Sequence, residues 1–172
     1  MGTRKKQDNM LKYFLLGIIH DNGWQVISEG ADNFFHVYRV ISDGLIEFNY
    51  VGPDGKLLWD TWFWKVSRLT KNIFKVKYKE GEEYHLIGLD GKLLWDKGYQ
   101  EIFHLYENVF IVERVNSEGK TECNLLGLDG KPLWNTWYKN VNVLKRKRFR
   151  VTEETPDGQE KEYIIGLDGK TL

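Results

Sequence analysis

Apolar and polar residues alternate along this chain in short segments that repeat at a long, regular interval. The most regular of these segments are four Phe-x-Val pairs, which begin at Phe35, Phe74, Phe110 and Phe149. A spacing of two residues places both side chains on the same face of a β-strand. The recurrence of the same segment along the chain predicts tandem copies of one β unit.

A glycine-rich turn accompanies each copy. The sequence Gly-x-Asp-Gly-Lys begins at Gly52, Gly88, Gly127 and Gly166, at intervals of 36, 39 and 39 residues. Asp-Gly between two apolar runs is typical of a β-hairpin, and a type I′ turn with positive φ at both central residues is expected. The apolar strand that leads into each of these glycine turns is itself preceded by a second turn, such as Glu118-Gly119. Each unit is therefore predicted to be a three-stranded antiparallel meander.

Two further columns of apolar residues define the register of the copies. One is aliphatic and the other is tryptophan; their members are Leu16, Val51, Ile87, Leu126 and Ile165, and Trp24, Trp59, Trp95 and Trp134. In this register residues 13–19 form a strand of the first copy, and helical periodicity nowhere extends beyond about two turns. The repeated Phe and Trp side chains are predicted to form the core between units.

The repeat divides the chain into one β domain at residues 13–172 after a flexible tail at residues 1–12. Its units are 13–48, 49–84, 85–123, 124–162 and the partial unit 163–172. Two all-β architectures accommodate units of this length, an open solenoid-like stack and a small β-propeller. The open stack is favoured because both ends carry a whole glycine-turn hairpin, at residues 14–27 and 163–172.

These motifs resemble those of the WG-repeat (KWG-repeat) proteins common in bacteria. The resemblance is carried by the segment from Tyr84 to Trp95 and the strand from Asn108 to Val112, and it extends over about residues 13–172. The Trp-Gly pair that names the family is absent, and pairs such as Ile87-Gly88 keep only the glycine. The resemblance implies a β repeat and supplies no catalytic residue.

Charge and cysteine content narrow the classes of function. Lys plus Arg and Asp plus Glu each number 25 in 172 residues, so no net field attracts nucleic acid or an anionic membrane. Cys123 is the only cysteine, which excludes an intramolecular disulfide. Residues 4–6 are basic and precede the apolar run 13–19, so a targeting role for residues 1–19 stays open. A soluble, cytoplasmic protein is expected.

The aromatic residues outside the repeated columns are the candidate ligand-binding residues. Trp62 and Trp137 occupy a column in which the middle copy, the unit 85–123, has Gly98, and a position that tolerates glycine is a weaker candidate for the core. Trp64 and Tyr138 lie beside them in the sequence. Exposed rings of this kind could bind a peptide or a sugar, while buried rings would fill the interface between sheets.

The charged and metal-ligating residues give weaker indications of function. The basic run 145–150 contains the core residue Phe149 and is predicted to be a solvated strand rather than a patch for acidic partners or nucleic acid. The turn aspartates lack the alternating oxygens of a calcium loop, and the histidines lack zinc-site spacing. No cofactor and no metal site is predicted.

The leading prediction is a non-enzymatic binding or scaffolding module whose partner is a protein. A carbohydrate-binding module that uses exposed Trp and Tyr rings is the first alternative. An enzyme with a pocket between repeats is the second, although no catalytic residue can be named.

Overall fold

The structure, a computed structural model, describes residues 2–29, 34–145 and 147–172, with the side chains of residues 2–11 and 43 left out of the description. The described elements are one α-helix, twelve β-strands and a 3-10 turn at Ser42–Gly44: α1 (Gly2–Asp21), β1 (Gln25–Glu29), β2 (Phe35–Val40), β3 (Ile46–Val51), β4 (Lys65–Arg68), β5 (Ile73–Lys77), β6 (His85–Gly88), β7 (Glu101–Tyr106), β8 (Val109–Val115), β9 (Thr121–Leu126), β10 (Asn140–Val143), β11 (Arg148–Glu154) and β12 (Glu160–Gly166). The prediction of an all-β fold of antiparallel meanders is confirmed.

The strands form four antiparallel sheets of three, in the orders β1-β2-β3, β4-β5-β6, β7-β8-β9 and β10-β11-β12. The Phe-x-Val pair lies on the middle strand of every sheet, and all eight of its side chains are at most 1% exposed. The third strand of each sheet does not stay within the predicted unit of the other two: β6 lies wholly in the following unit, and β3, β9 and β12 cross a unit boundary.

The Gly-x-Asp-Gly-Lys turn has a different geometry from the one predicted. Gly91 N donates to the carbonyl of Gly88, Gly88 N donates to the carbonyl of Lys92, and Gly91 has φ of 74°. Asp90 does not have positive φ, since Glu107 and Lys147 are the only non-glycine residues that do within the described part of the chain. The prediction of a type I′ turn is therefore wrong. The arrangement is a type I turn closed by a glycine bulge, in which only one residue needs positive φ.

The N-terminal region is helical, so the assignment of residues 13–19 to the strand register is wrong. Helix α1 includes these residues and residues 2–12, which were predicted to form a tail. Leu15 and Ile19 are 0% and 2% exposed and pack on Phe35, Val37 and Val51 of the first sheet. The apolar run 13–19 is compatible with both a strand and a helix, because seven residues contain too few helical turns to distinguish a period of 3.6 from a period of two.

A return segment follows the third strand of each of the first three sheets. The chain reverses at the glycine turn, runs back beside that strand and pairs with it at two isolated positions. These pairs are Val51 with Leu57 and Phe48 with Phe63, Ile87 with Leu93 and Tyr84 with Tyr99, and Leu126 with Pro132 and Cys123 with Tyr138. The return segment therefore joins each sheet to the next.

The tryptophan of each return segment packs into the core of the following sheet. Trp95 is 4% exposed, lies edge-on to Phe110 with ring centroids 5.4 Å apart, and donates from Nε1 to the carbonyl of Leu128 at 3.1 Å. A Cβ added to Gly130 would lie 2.7 Å from Trp95 Cδ1, so the next glycine turn closes directly over the indole. Trp59 and Trp134 pack in the same way against the turn glycines Gly91 and Gly169. Trp134 Nε1 donates to the equivalent carbonyl, that of Leu167, whereas Trp59 Nε1 donates to the carbonyl one residue earlier in the turn, that of Gly88.

Trp24 does not belong to this tryptophan column, which corrects the sequence alignment of the first copy. It lies directly before β1, whereas Trp59 lies six residues before β4 at Lys65. In the first joint Ile18 and Leu15 of helix α1 occupy the place of the tryptophan, and Ile18 Cδ1 would lie 2.7 Å from a Cβ on Gly55. The helix thus covers the first sheet with aliphatic side chains.

Candidate functional site

Two half-buried tryptophans, Trp62 and Trp137, are each covered by an arginine of the middle strand. The Arg39 Cζ atom lies 4.5 Å from the centroid of the Trp62 ring, and Arg114 Cζ lies 3.6 Å from that of Trp137. These distances are those of cation–π contacts. One face of each candidate ring is therefore occupied by a guanidinium.

Each of these arginines also binds a glutamate directly opposite on the third strand. Arg39 donates from Nε and Nη2 to Glu47 Oε2 at 3.0 and 2.7 Å. Arg114 donates from Nε to Glu122 Oε1 at 2.7 Å. The cross-strand pair holds the guanidinium over the ring. We call each set of glutamate, arginine and tryptophan a clamp, the first being Glu47, Arg39 and Trp62 and the third being Glu122, Arg114 and Trp137.

A second aromatic ring lies beside each clamp tryptophan. Tyr99 is nearly parallel to Trp137, at 19° with centroids 6.4 Å apart, and Trp24 approaches Trp62 at 60° and 6.0 Å. Burial raises the pKa of Tyr99, while Arg114 lowers it and Glu83 raises it further. The tyrosine hydroxyl therefore lies within electrostatic reach of both charged groups.

From here on the copies are numbered by sheet, and each copy includes the return segment that follows its sheet. The second copy keeps the glutamate of the clamp and lacks the other two members. Its residues at the corresponding positions are Glu83, Tyr78 and Gly98. A Cβ on Gly98 would lie 2.7 Å from Glu83 Cβ and 2.9 Å from His85 Cε1. Glu83 thus packs against the backbone of Gly98, at the position where the other two copies have a tryptophan. Only glycine allows so close an approach, because it has no Cβ.

Two open grooves meet at Trp137. Groove A has a volume of about 700 Å³ and lies between the second and third copies; residues that line it include Glu83, Asp96, Lys97, Tyr99, Arg114 and Trp137. Groove B has a volume of about 810 Å³ and lies between the third and fourth copies; residues that line it include Glu118, Lys120, Trp137, Lys139, Glu154 and Pro156. Trp137 is the wall that the two grooves share.

The other two candidate aromatics lie apart from this wall. Trp64 is half-buried and lines a shallow, mainly apolar groove of about 360 Å³ with Leu45, Ile46 and Phe48. Tyr138 is 9% exposed and packs edge-on to Trp134, with ring centroids 5.6 Å apart. Burial raises the pKa of the Tyr138 phenol. Of the four predicted site residues, Trp137 alone lines grooves A and B.

A buried polar residue sets the course of the return segment in the first and third copies. Asn124 is fully buried, and its amide nitrogen donates to the carbonyls of Trp134 and Thr136 at 3.0 and 3.1 Å. Asn49 makes the same two bonds to Trp59 and Thr61. The second copy has His85 instead, whose Nδ1 is buried without a partner among the described residues. The two asparagines of this column therefore have a structural, hydrogen-bonding role.

The remaining reactive groups show structural environments. Cys123 is 6% exposed, and burial, with Glu113 and Glu122 nearby, raises the pKa of its thiol to about 11. In the basic run, Phe149 is fully buried while Arg148 and Arg150 are exposed, and Arg146 lies outside the described residues. The described part of the run is thus a strand with one buried and one solvated face.

The described residues contain no group of three or more His, Cys, Asp or Glu side chains placed to hold a metal ion. None of their helices is both long enough and apolar enough to cross a bilayer.

Comparison with known proteins gives no direct assignment of function. No protein-family model matches the chain, and no curated protein is significantly similar to it. The two grooves and the residues between them are therefore the features of the molecule that bear on its function.

Proposed function

We propose that this chain is a non-enzymatic, cytoplasmic protein-binding or scaffolding module of the WG-repeat type, built as an open stack of units. The observation that supports the proposal best is the meeting of grooves A and B at Trp137, a half-buried aromatic residue that both grooves expose. Tryptophan and arginine are the residues most often found at the energetic centre of protein interfaces. Here the two are already in contact with each other.

The binding surface would be fixed in shape before a partner arrives. Trp137 is held by Arg114 at 3.6 Å and flanked by Tyr99, and Arg114 is itself bound to Glu122. A side chain that is already ordered loses less conformational entropy when a partner binds. This supports recognition by a pre-formed surface rather than by a rearranging loop.

The rims of groove B carry charges of both signs. Lys120 binds Glu154 and Lys139 binds Glu160, each at 2.5 Å, and Lys120 and Glu154 belong to different copies. Exposed ion pairs of this kind add little to folding stability, but their charges can steer and orient an approaching protein. Mixed charge around an aromatic centre is typical of a protein partner and atypical of nucleic acid.

The carbohydrate alternative has less support. Stacking of a sugar on tryptophan requires an open ring face. A guanidinium covers one face of both Trp62 and Trp137, and a second aromatic ring lies beside each of them. Tyr138, the fourth candidate, is buried against Trp134. The protein-binding proposal uses these rings as walls and so does not require a free face.

The test is quantitative affinity capture from the native host, with the captured proteins measured by mass spectrometry. The groove variants are Asp96→Lys for groove A and Lys120→Glu for groove B, since both residues are exposed. Lys79→Glu, an exposed residue that lines neither groove, is the matched control. The expected result is a partner whose recovery falls at least about fivefold in one groove variant and not in the control.

A purified partner then gives the decisive measurement. Titration calorimetry with the same three variants should reproduce the ranking, with thermal melts confirming that all variants are folded. Equal affinity for wild type and both groove variants would contradict the proposed surface. Turnover of a substrate by the purified chain would contradict the non-enzymatic assignment.

A further inference from the structure

We propose that the incomplete clamp of the second copy is a receptor for an arginine side chain of the partner protein, bound by Glu83 in groove A. The inference rests on the proposed function, because it assigns the chemistry that groove A recognises. The template for such a site is provided by the two complete clamps, in which the chain binds its own guanidinium groups.

The two complete clamps define the geometry of that template. Arg39 lies opposite Glu47 on the neighbouring strand, and Arg114 lies opposite Glu122. In both clamps the guanidinium bonds the carboxylate at 3.0 Å or less and lies within 4.5 Å of a ring centroid. The unit thus offers the same two contacts to a guanidinium at both places.

In the second copy the carboxylate remains but the arginine is absent. The ladder of β5 and β6 ends at the pair of Val76 and His85, and beyond it Tyr78 and Glu83 occupy the sequence positions of the clamp arginine and glutamate. A phenol cannot supply a cation, and Glu83 makes no ion pair with any residue that the structure describes. Glu83 is exposed and lines groove A, so an external group can reach it.

The carboxylates around Glu83 favour a cation. Asp96, a second carboxylate without an ion pair among the described residues, lines the same groove, as do the cations Lys97 and Arg114, of which Arg114 is already bound to Glu122. Trp137 lines the groove with one face covered by Arg114, and Tyr99 lines it at 7% exposure. The guanidinium of arginine can bond a carboxylate with two donors and stack on an aromatic ring, whereas the ammonium of lysine does neither as well. Arginine is therefore expected to bind more tightly than lysine.

The first measurement uses N-acetyl-L-arginine methylamide as the probe and the amide resonances of the ¹⁵N-labelled chain as the readout. The probe should shift the resonances of Gly98 and Glu83 in a saturable way, with those of Glu47 and Glu122 unchanged, since their sites are filled. N-acetyl-L-lysine methylamide should bind more weakly. Glu83→Gln should weaken binding of the arginine probe about tenfold, because the neutral amide keeps an acceptor oxygen but loses the negative charge that strengthens a hydrogen bond to a guanidinium.

A second variant tests the template directly. Tyr78→Arg should supply the missing arginine within the chain, form the cross-strand pair with Glu83 and abolish binding of the probe. Leu93→Arg, at an exposed residue of the return segment, is the matched control and should bind the probe as wild type does. Binding that is unchanged in both Glu83→Gln and Tyr78→Arg would overturn the proposal.

The remaining outcomes are equally decisive. Equal binding of the lysine probe, or shifts spread over exposed acids throughout the chain, would also overturn it. Shifts at Gly98 that depend on protein concentration in the absence of any probe would overturn the assignment to another protein, because they would show that a second molecule of this chain occupies groove A.

The failure of this inference is distinguishable from failure of the proposed function. If a captured partner depends on Asp96 or Lys120 while Glu83→Gln leaves its affinity unchanged, the protein-binding function stands and the arginine receptor is wrong. If the probe binds as expected but no partner depends on either groove, the receptor stands and the proposed function is wrong.

Discussion

The second copy and its neighbours differ in their polar residues and agree in their core. All carry the same Phe-x-Val pair, fully buried on the middle strand in the second and third sheets, and all are followed by the same glycine turn. The first and third copies add an asparagine that binds the return segment and an arginine held by a glutamate. The second copy has His85 and Tyr78 at those two positions.

This difference separates the residues that build the unit from those that adapt its surface. Removing the asparagine bonds and the clamp has not changed the order of strands in the second sheet, which matches that of the other three. The aromatic core and the turn therefore suffice to specify the meander. The polar columns are where one copy can acquire a function that its neighbours lack.

The largest expected effect comes from the shared core. Phe110→Ala should lower the free energy of unfolding by about 3–5 kcal/mol, because it leaves a cavity against Trp95 in a fully buried site. Phe74→Ala should cost a similar amount, measured by guanidinium denaturation. A loss below about 1 kcal/mol in either variant would show that the two cores are not equivalent.

The joint between copies is tested by a pair of glycines with the same backbone conformation. Gly130 and Gly119 have φ of 72° and 77°, so alanine is strained at both. Only at Gly130 would the added Cβ meet a neighbour, Trp95 Cδ1 at 2.7 Å; at Gly119 nothing lies within 4 Å. Gly119→Ala should cost about 1–2 kcal/mol from the backbone alone. Gly130→Ala should cost a further 1–3 kcal/mol or so from overpacking.

Thermal and chemical denaturation of the two variants provide the measurement. Equal losses would mean that the indole moves away from Gly130 at little cost, and the joint would then be looser than its geometry indicates. A larger loss at Gly130 would confirm the close packing of turn and indole.

Much of the fold follows from the sequence because its signals are local. Alternation in Phe110-Ile111-Val112 identifies a strand, and Asp-Gly between apolar runs identifies a turn within a few residues. The type of turn was not predictable in the same way, since both geometries accept Asp-Gly and differ in the φ of Asp90.

The N-terminal helix and the groove wall depend on contacts between distant residues. Leu15 and Ile19 have the spacing of one helical face. The helix forms a stable contact there because no tryptophan precedes the first sheet, and aliphatic side chains of the helix fill that place instead. Trp137 was identified from its column, yet the guanidinium above it could not be, since Arg114 lies on another strand. The sequence carries only an indirect trace of this contact: Arg39 and Arg114 accompany the tryptophans, whereas Tyr78 accompanies Gly98.

The asparagine column gives a smaller effect that tests the difference between copies. Asn124→Ala should lower stability by about 1–3 kcal/mol, because the carbonyls of Trp134 and Thr136 lose a donor. His85→Ala should cost less than about 1 kcal/mol, since its Nδ1 has no hydrogen bond to lose. Chemical denaturation measures both. A larger loss for His85→Ala than for Asn124→Ala would contradict the different roles assigned to the two residues.

The smallest expected effect is a gain in stability. His85→Asn should let the amide bind the carbonyls of Trp95 and Lys97, which lie 10 and 12 residues later, as the bonded carbonyls do after Asn124. Two new bonds and the removal of a buried unpaired nitrogen should raise the free energy of unfolding by about 0.5–1.5 kcal/mol. His85→Gln, whose amide is one methylene farther from the backbone, is the matched control and should not be stabilised. A gain in neither variant would show that the second return segment runs too far from β6 for these bonds, and that the histidine suits a differently shaped joint.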